Sequence, residues 1–182
     1  MGKDILRSEL LRSLTALSSD EIQSLSFALT SQIIKLLEMN PELTSKVGGA
    51  YLPFKAEVAP VYQVLLHAAP VVLSYPIQKE EGMGFAIPDG MPRGGIWLEK
   101  PFHEVEPDWL LIPGVGFSFD GNRLGRGKGY YDRYLENSKA LRIGLAWSEQ
   151  IIEKLPVESH DCRMDFIITE KYCWDVNQQI KF

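Results

Sequence analysis

The sequence predicts an α/β protein with three α/β/α layers around a mostly parallel central sheet, and three observations predict it. Short apolar runs with few charges, VGGAYLPF at 47–54, WLLI at 109–112 and LRIGLAW at 141–147, have the composition of strands buried on both faces. These runs alternate with segments whose apolar residues recur every three or four positions, the helical period, and such alternation pairs strands in parallel with helices on either side. The chain has 182 residues and no internal repeat, low-complexity tract or linker, so a single domain spanning 1–182 is expected.

In chain order, residues 3–17 place Ile5, Leu6, Leu10, Leu14 and Leu17 on one face of a first helix. Lys3 and Arg7 lie four apart and share another face, which serves equally as a solvated flank or a paired cationic site. Ser18 or Ser19, with Glu21 behind it, caps a second helix running through Ile22, Leu25, Phe27, Leu29, Ile33, Ile34 and Leu37 until Asn40 and Pro41 end it. The strand at 47–54 loses regular pairing at Pro53. Glu57 follows at its carboxyl end, where open α/β sheets bind ligands, although a helix-capping acid fits that position as well. Residues 58–68 read as a short helix stopped by Pro70.

PVVLSYPI, GMGFAIPD and GIWLEKPF read as three strands, the last two as antiparallel additions at one edge. PDGMPRGG at 88–95 has the turn chemistry of a mobile loop. The strand at 109–112 is broken by Pro113 and leads into a glycine-rich stretch. A helix then carries Tyr131, Tyr134 and Leu135 and ends near Asn137 and Ser138. LRIGLAW is a buried strand, EQIIEKL at 149–155 a weak helical segment, and SHDCRMDFIITE leads to a last strand at 166–169.

The stretch GVGFSFDGNRLGRGKGYYDRYL at 114–135 concentrates six glycines, four basic side chains, two aspartates and three tyrosines between a strand and a helix. A long connection of this kind inside a compact domain is usually functional. Glycines at 121, 125, 127 and 129 let backbone N–H groups close on a ligand, and the following helix start adds unpaired N–H groups that favour an anion. Arg123, Arg126 and Lys128 add full charges sufficient for a triphosphate. No Ser or Thr follows Lys128, so this is not the GxxxxGK[ST] phosphate loop, and no GxGxxG follows the first strand. The plainer role of the block is a turn with a solvated basic surface. Asp132, Asp161 and Asp165 are candidate acids for Mg²⁺, which takes one or two carboxylates plus phosphate oxygens and water. The two later aspartates serve equally as cap or turn residues, and His160 reads as a surface or hydrogen-bonded histidine.

Composition limits the partners. A net charge of −5 and a pI near 5.3 argue against a general nucleic-acid or membrane-surface binder, so the basic cluster is a local feature. Cys162 and Cys173 lack metal-site spacing and read as packing residues suited to a reducing compartment. The charged start MGKDILRSELLRSL lacks a signal peptide's apolar core, and no run approaches the roughly 18 apolar residues of a membrane span. A cytoplasmic protein, acting as a monomer without nucleic-acid or membrane partners, is the expectation.

LIPGVGFSFDGNRLGRGKGYYDRYL resembles the signature of the 5-formyltetrahydrofolate cyclo-ligase family, also called 5,10-methenyltetrahydrofolate synthetases. KDILRSEL, YLPFKAEV and HDCRMDFIITE extend the likeness over nearly the whole chain, though each is short and only the central signature is specific. The resemblance implies an enzyme using ATP and Mg²⁺ to convert 5-formyltetrahydrofolate to 5,10-methenyltetrahydrofolate, releasing ADP and phosphate. Carried over by motif, Lys3 and Arg7 hold ATP together with Arg123, Leu124, Gly125, Arg126, Gly127, Lys128, Gly129, Tyr130 and Tyr131. Leu52 and Glu57 contact the folate, with Arg126 through Tyr130 between the two ligands, and Arg126, Lys128 and Tyr130 are the catalytic candidates. Asp132 and Asp161 match the magnesium positions. The chain departs from the family pattern on the folate side, at Ala56, at Pro60 and in IWLEKP at 96–101. Other classes stay open beside this one: a sugar-phosphate isomerase or acyl-transferase relative, a non-catalytic nucleotide- or folate-binding module, and an ATP-dependent enzyme acting on a related substrate.

Overall fold

The structure is a computed structural model that describes residues 2–54, 57–90, 92, 95–99, 101–158 and 161–182. Helix α1 spans Lys3–Leu14 and α2 spans Ser19–Met39. The Ser18 side chain accepts from the Glu21 N–H while Glu21 accepts from the Ser18 N–H, a reciprocal cap that fixes where α2 begins. Helix α3 is Tyr62–Ala68 and α4 is Tyr130–Asn137.

Eleven strands follow the chain among the described residues: β1 Val47–Gly49, β2 Val72–Lys79, β3 Gly82–Pro88, β4 Phe102–Val105, β5 Trp109–Pro113, β6 Gly116–Phe117, β7 Arg123–Leu124, β8 Leu141–Leu145, β9 Phe166–Ile168, β10 Cys173–Asp175 and β11 Ile180–Lys181. Nine of them form one sheet in the order β11-β10-β9-β8-β5-β1-β2-β3-β4, and β6 pairs with β7 in a separate small hairpin. The five central strands are parallel, while β3 and β4 at one edge and β10 and β11 at the other are antiparallel. The sheet is therefore mixed, with the expected parallel arrangement in its core.

Strand β5 is buried along its whole length, and its side chains alternate between two cores. Trp109 and Leu111 pack in the cluster holding Leu29, Ile33 and Leu36 of α2 and Leu65 of α3. Leu110 and Ile112 pack on the other face with Leu135 of α4. The two-residue period of a strand thus places a helical layer on each side.

Some expectations change. Helix α1 stops at Leu14 rather than 17, and α3 starts at Tyr62 rather than 58. The first strand ends at Gly49; Ala50 still donates to the Ser74 carbonyl at 2.8 Å, and Pro53, with no N–H to offer, lies beyond it. Among the described residues of GIWLEKPF, 95–99 form no regular strand and only Phe102 belongs to one. Leu98 donates to the Pro76 carbonyl at 2.7 Å, and regular pairing resumes only at Phe102. Pro113 lies inside β5, because β5 pairs parallel with β8 there without needing its N–H. In place of a helix at 149–155 there is one 3₁₀ turn, Ser148–Gln150, after which Ile151 bridges to Phe117. Strands β10 and β11 lie beyond what the sequence predicted. Cys173 is fully buried, and burial pushes its thiol up to about 12, as a packing role requires. Cys162 packs against the α4-side core. No described helix is long and apolar enough to cross a membrane.

One contact joins the glycine-rich stretch to the sheet. The Phe117 ring is wholly buried where Gly144 of β8 and Gly114 lack side chains: a Cβ would meet the ring at 2.5 Å at Gly144 and 2.6 Å at Gly114. Replacing Phe117 by Ala is expected to lower the unfolding free energy by ~3–5 kcal/mol, and Gly144→Val by ~1–3 kcal/mol, read from urea unfolding curves.

Candidate active site

The hairpin of β6 and β7 lifts the glycine-rich stretch off the sheet, and three contacts hold it. Besides the Phe117 ring, the buried Gln150 donates through Nε2 to the carbonyls of Gly114 and Val115, both at 3.0 Å. Ile152 donates to the Phe117 carbonyl at 2.8 Å. Helix α1 docks from outside, where Leu6 packs with Leu124 and Leu155. That packing delivers Arg7, whose Nε donates to the Gly125 carbonyl at 2.8 Å. Beyond Gly125 the backbone adopts positive φ at Gly127 (90°) and Gly129 (66°), a region that disfavours residues with a Cβ. Gly129 is the residue from which α4 starts.

The loop forms one wall of a cavity of about 390 Å³. Gly125, Arg126, Gly127, Lys128 and Gly129 line this wall, with Tyr130, Tyr131 and Asp132 from the first turn of α4. Pro76 of β2, Met83 of β3, Ile96 and Trp97 add an apolar part to the lining. Leu52, Phe54 and Glu57 also line it. The segment carrying them is fixed by hydrogen bonding: Tyr62 donates its hydroxyl to the Tyr51 carbonyl at 2.8 Å, and Tyr51 donates its own to the Val58 carbonyl. Burial pushes the Tyr51 and Tyr62 hydroxyls well above the ordinary tyrosine range, so both remain donors at neutral pH. A larger open groove of about 700 Å³ runs past Lys46, Glu106, Asp108 and Lys139 and shares only Met83 with the cavity. Its polar groups are partly engaged with one another, as where Tyr134 donates to Glu106 at 2.9 Å, and it contains none of the loop glycines.

Four of the cations around the loop are matched by carboxylates. Arg123 is turned into the wall with its side chain only 6% exposed; it donates to the Pro113 carbonyl at 3.1 Å and to Asp132 at 2.5 Å, with its guanidinium over the Tyr131 ring. Burial raises the Tyr131 pKa, with Arg123 acting in the opposite direction, so the hydroxyl is neutral at physiological pH. Arg126 pairs with Glu57 at 2.7 Å, and Arg7 with Asp4 at 2.5 Å. Lys3 pairs with Asp161 at 2.8 Å and with Glu158 at 3.1 Å. Lys128 is exposed, lines the cavity, and makes no ion pair among the described residues.

The structure divides the sequence-predicted residues into two groups. Leu52, Glu57, Arg123, Gly125, Arg126, Gly127, Lys128, Gly129, Tyr130, Tyr131 and Asp132 line the cavity. Lys3, Arg7 and Asp161 do not; Arg7 reaches Gly125, and Lys3 ties α1 to Asp161. The Leu124 side chain is buried among Leu6 and Leu155. Asp165 caps the sheet, its carboxylate accepting from the Arg142 N–H at 2.8 Å. Among the described residues no three His, Cys, Asp or Glu side chains converge on one point. His160, Ala56 and part of the 88–95 loop lie outside the described residues. Sequence reasoning missed Pro76 and Met83 altogether and placed the run at 96–101 on the folate side only through the family resemblance, without singling out Ile96 and Trp97 as lining residues. A tryptophan one residue after GGI, in a run too irregular for a strand, was the available signal, and its ring meets Tyr130 edge-on at 5.0 Å.

Partial burial disfavours the Lys3 ammonium, but hydrogen bonds and charge from Asp161 and Glu158 outweigh it and raise the pKa. A raised lysine pKa stabilises the fold below the unfolded value of 10.5, and that contribution is lost as pH climbs through the folded value. Lys3→Met is therefore expected to lower stability by about 1 kcal/mol near neutral pH. In thermal unfolding across pH, its difference from the unsubstituted protein should hold up to the ordinary lysine value and shrink above it.

Comparison with known proteins identifies this arrangement. Residues 1–170 match the model of the 5-formyltetrahydrofolate cyclo-ligase family. The mouse 5-formyltetrahydrofolate cyclo-ligase is 30% identical over 197 residues, covering 91% of this chain and 92% of that protein. The Mycoplasma pneumoniae cyclo-ligase is 32% identical over 180 residues, covering 94% of this chain and all of that one. Among solved structures, the M. pneumoniae 5,10-methenyltetrahydrofolate synthetase superposes with a TM-score of 0.77 at 30% identity, over 93% of this chain and 99% of its own. The Aquifex aeolicus synthetase gives 0.76 at 31% identity, over 97% and 93%. With so much of each chain shared in both sequence and fold, this chain belongs to the 5-formyltetrahydrofolate cyclo-ligase family.

Proposed function

We propose that this chain uses ATP to close 5-formyltetrahydrofolate to 5,10-methenyltetrahydrofolate, releasing ADP and phosphate. The observation that carries the reading is a single cavity lined by a cationic glycine loop, by apolar and aromatic side chains, and by the Glu57 carboxylate. Its volume of about 390 Å³ suits a small-molecule head group. The folate ring system lies against Met83, Ile96 and Trp97 with Leu52 beside it, and Glu57 accepts its N–H donors, since one carboxylate receives two such bonds side by side. The triphosphate lies along the loop from Arg123 to Tyr131, with Lys3 and Arg7 on its far side.

The reaction follows from what the formyl group lacks. Its oxygen is a poor leaving group, so it attacks the γ-phosphorus and the bond to the β-phosphate oxygen breaks, releasing ADP. The phosphorylated formyl carbon, now iminium-like at N5, is attacked by N10. N10 loses its proton to solvent, and the carbon–oxygen bond breaks to release phosphate and leave the methenyl bridge. Such transfer needs positioning and charge neutralisation rather than a covalent nucleophile. Arg126 and Lys128 supply charge at the γ-phosphate, the loop N–H groups add donors, and Tyr130 closes on the reacting groups from the start of α4.

Mg²⁺ fits the residues present as an ion that arrives with the nucleotide. Asp132 offers a partly exposed carboxylate on the cavity wall, oriented by Arg123, and phosphate oxygens and water complete the coordination of such an ion. When bound, the ion supplies further neutralisation of phosphate charge. Asp161 lies outside the cavity lining and is paired with Lys3, so it would contribute a second carboxylate only on leaving Lys3.

Growth of methenyl absorbance that requires both ATP and 5-formyltetrahydrofolate tests the reading, and absence of ADP formation with the folate present contradicts it. Lys128→Ala is expected to reduce kcat/KM by at least ~2 kcal/mol of transition-state stabilisation, about thirtyfold, in steady-state assays of a folded variant. Near-normal turnover would remove Lys128 from the chemistry.

A further inference from the structure

Glu57 and Arg126 reach each other from different walls of the cavity and close it with one ion pair. Arg126 Nε donates to Glu57 Oε1 at 2.7 Å, and Arg126 Nη2 donates to the Phe54 carbonyl at 3.0 Å. The guanidinium also lies 5.6 Å from the centroid of the Phe54 ring. The second carboxylate oxygen is engaged as well, since the Phe54 N–H donates to Glu57 Oε2 at 2.9 Å. The two side chains are 14% and 28% exposed, so each charge is held largely out of water by the other.

This contact conflicts with the proposed task of both residues. Each Glu57 oxygen already accepts one hydrogen bond, so the paired N–H donors of a folate ring compete with Arg126 for the carboxylate. Arg126 already spends Nε and Nη2 on Glu57 and Phe54, so a phosphate taking its Nε/Nη2 edge as a fork competes with Glu57 for the guanidinium. One ion pair therefore opposes both ligands, and weakening it for either one weakens it for both.

We propose that the Arg126–Glu57 pair is a latch that makes nucleotide and folate binding mutually cooperative. The inference rests on the assignment of Glu57 to the folate and Arg126 to the phosphates under the proposed function. Whichever ligand arrives first bears the cost of separating the two charges, and the second meets a freed partner. Linkage requires the gain to be equal in both directions. The consequence is a site that assembles fully only when both substrates are present, which limits ATP hydrolysis in the absence of folate.

The test is equilibrium binding of an ATP analogue with a methylene bridge between the β- and γ-phosphates, with Mg²⁺ and without folate. It is made on the unsubstituted protein, Glu57→Gln, Arg126→Gln and the double variant. Glu57→Gln is expected to tighten analogue binding about five- to tenfold, and Glu57→Ala to do the same. In the Arg126→Gln background the Glu57 substitution is expected to change affinity less than about twofold, because its effect acts through Arg126. Unchanged or weaker binding by Glu57→Gln overturns the latch. So does equal tightening in both backgrounds, which would reflect only the loss of one negative charge. These measurements need no turnover, so a protein that shows the latch but forms no methenyl product contradicts the proposed reaction alone. Failure of every form to bind the analogue overturns both.

Discussion

The Phe117 ring, packed where Gly114 and Gly144 carry no side chain, fixes the glycine-rich stretch to the β8 face of the sheet, and the rest of the site takes its position from that contact. With Phe117 in place, Gln150 and Ile152 bond the backbone on either side of it, and the β6–β7 hairpin projects the loop toward the ends of the parallel strands. Leu124, the last residue of the hairpin, gives α1 its apolar dock with Leu6 and Leu155, so the same anchor also determines where Lys3 and Arg7 arrive. A close-packed interior transmits such constraints over distance because its side chains have no room to shift independently.

Charge is the second constraint. Cations crowded on one loop and one helix face repel one another, and here Arg123, Arg126, Arg7 and Lys3 each have a carboxylate within 2.8 Å. The partners are not equivalent. Arg123 and Asp132 belong to the wall itself, with the arginine almost fully enclosed. Arg126 and Glu57 join two segments 69 residues apart, and Lys3 and Asp161 join two segments 158 residues apart. Under the proposed function, the more exposed long-range pairs are the ones a polyphosphate would compete with, while the enclosed pair would hold the frame.

Much of this was legible in the sequence, because the strongest signals come from residues whose environment is local. The α2 cap needed only Ser18 and Glu21, and the buried strands β5 and β8 needed only runs of Leu, Ile and Trp. The loop announced itself through glycines and basic residues in one short stretch, and eight of its residues, 123 and 125–131, do line the cavity. What stayed hidden depends on distant partners. The spacing of Ile151, Ile152 and Leu155 suits a helix, yet Ile151 bridges to Phe117 and Leu155 docks against Leu6 and Leu124, and those tertiary contacts override the local period. Trp97 enters the site because Leu98 bonds to Pro76 rather than to a regular strand partner, a register no local pattern specifies. The pairing of Arg126 with Glu57 was likewise unreadable, although both residues were recognised separately.

Under the proposed function, an anion-binding loop and a folate-type pocket serve one chemical event, transfer of the γ-phosphoryl group to the formyl oxygen. Turnover with 5-formyltetrahydrofolate carrying ¹⁸O in the formyl group tests that event most directly, with the released phosphate examined by mass spectrometry. Phosphate bearing one ¹⁸O atom per turnover is expected, because the formyl oxygen leaves on phosphorus. Unlabelled phosphate, formed alongside the methenyl product, would contradict it.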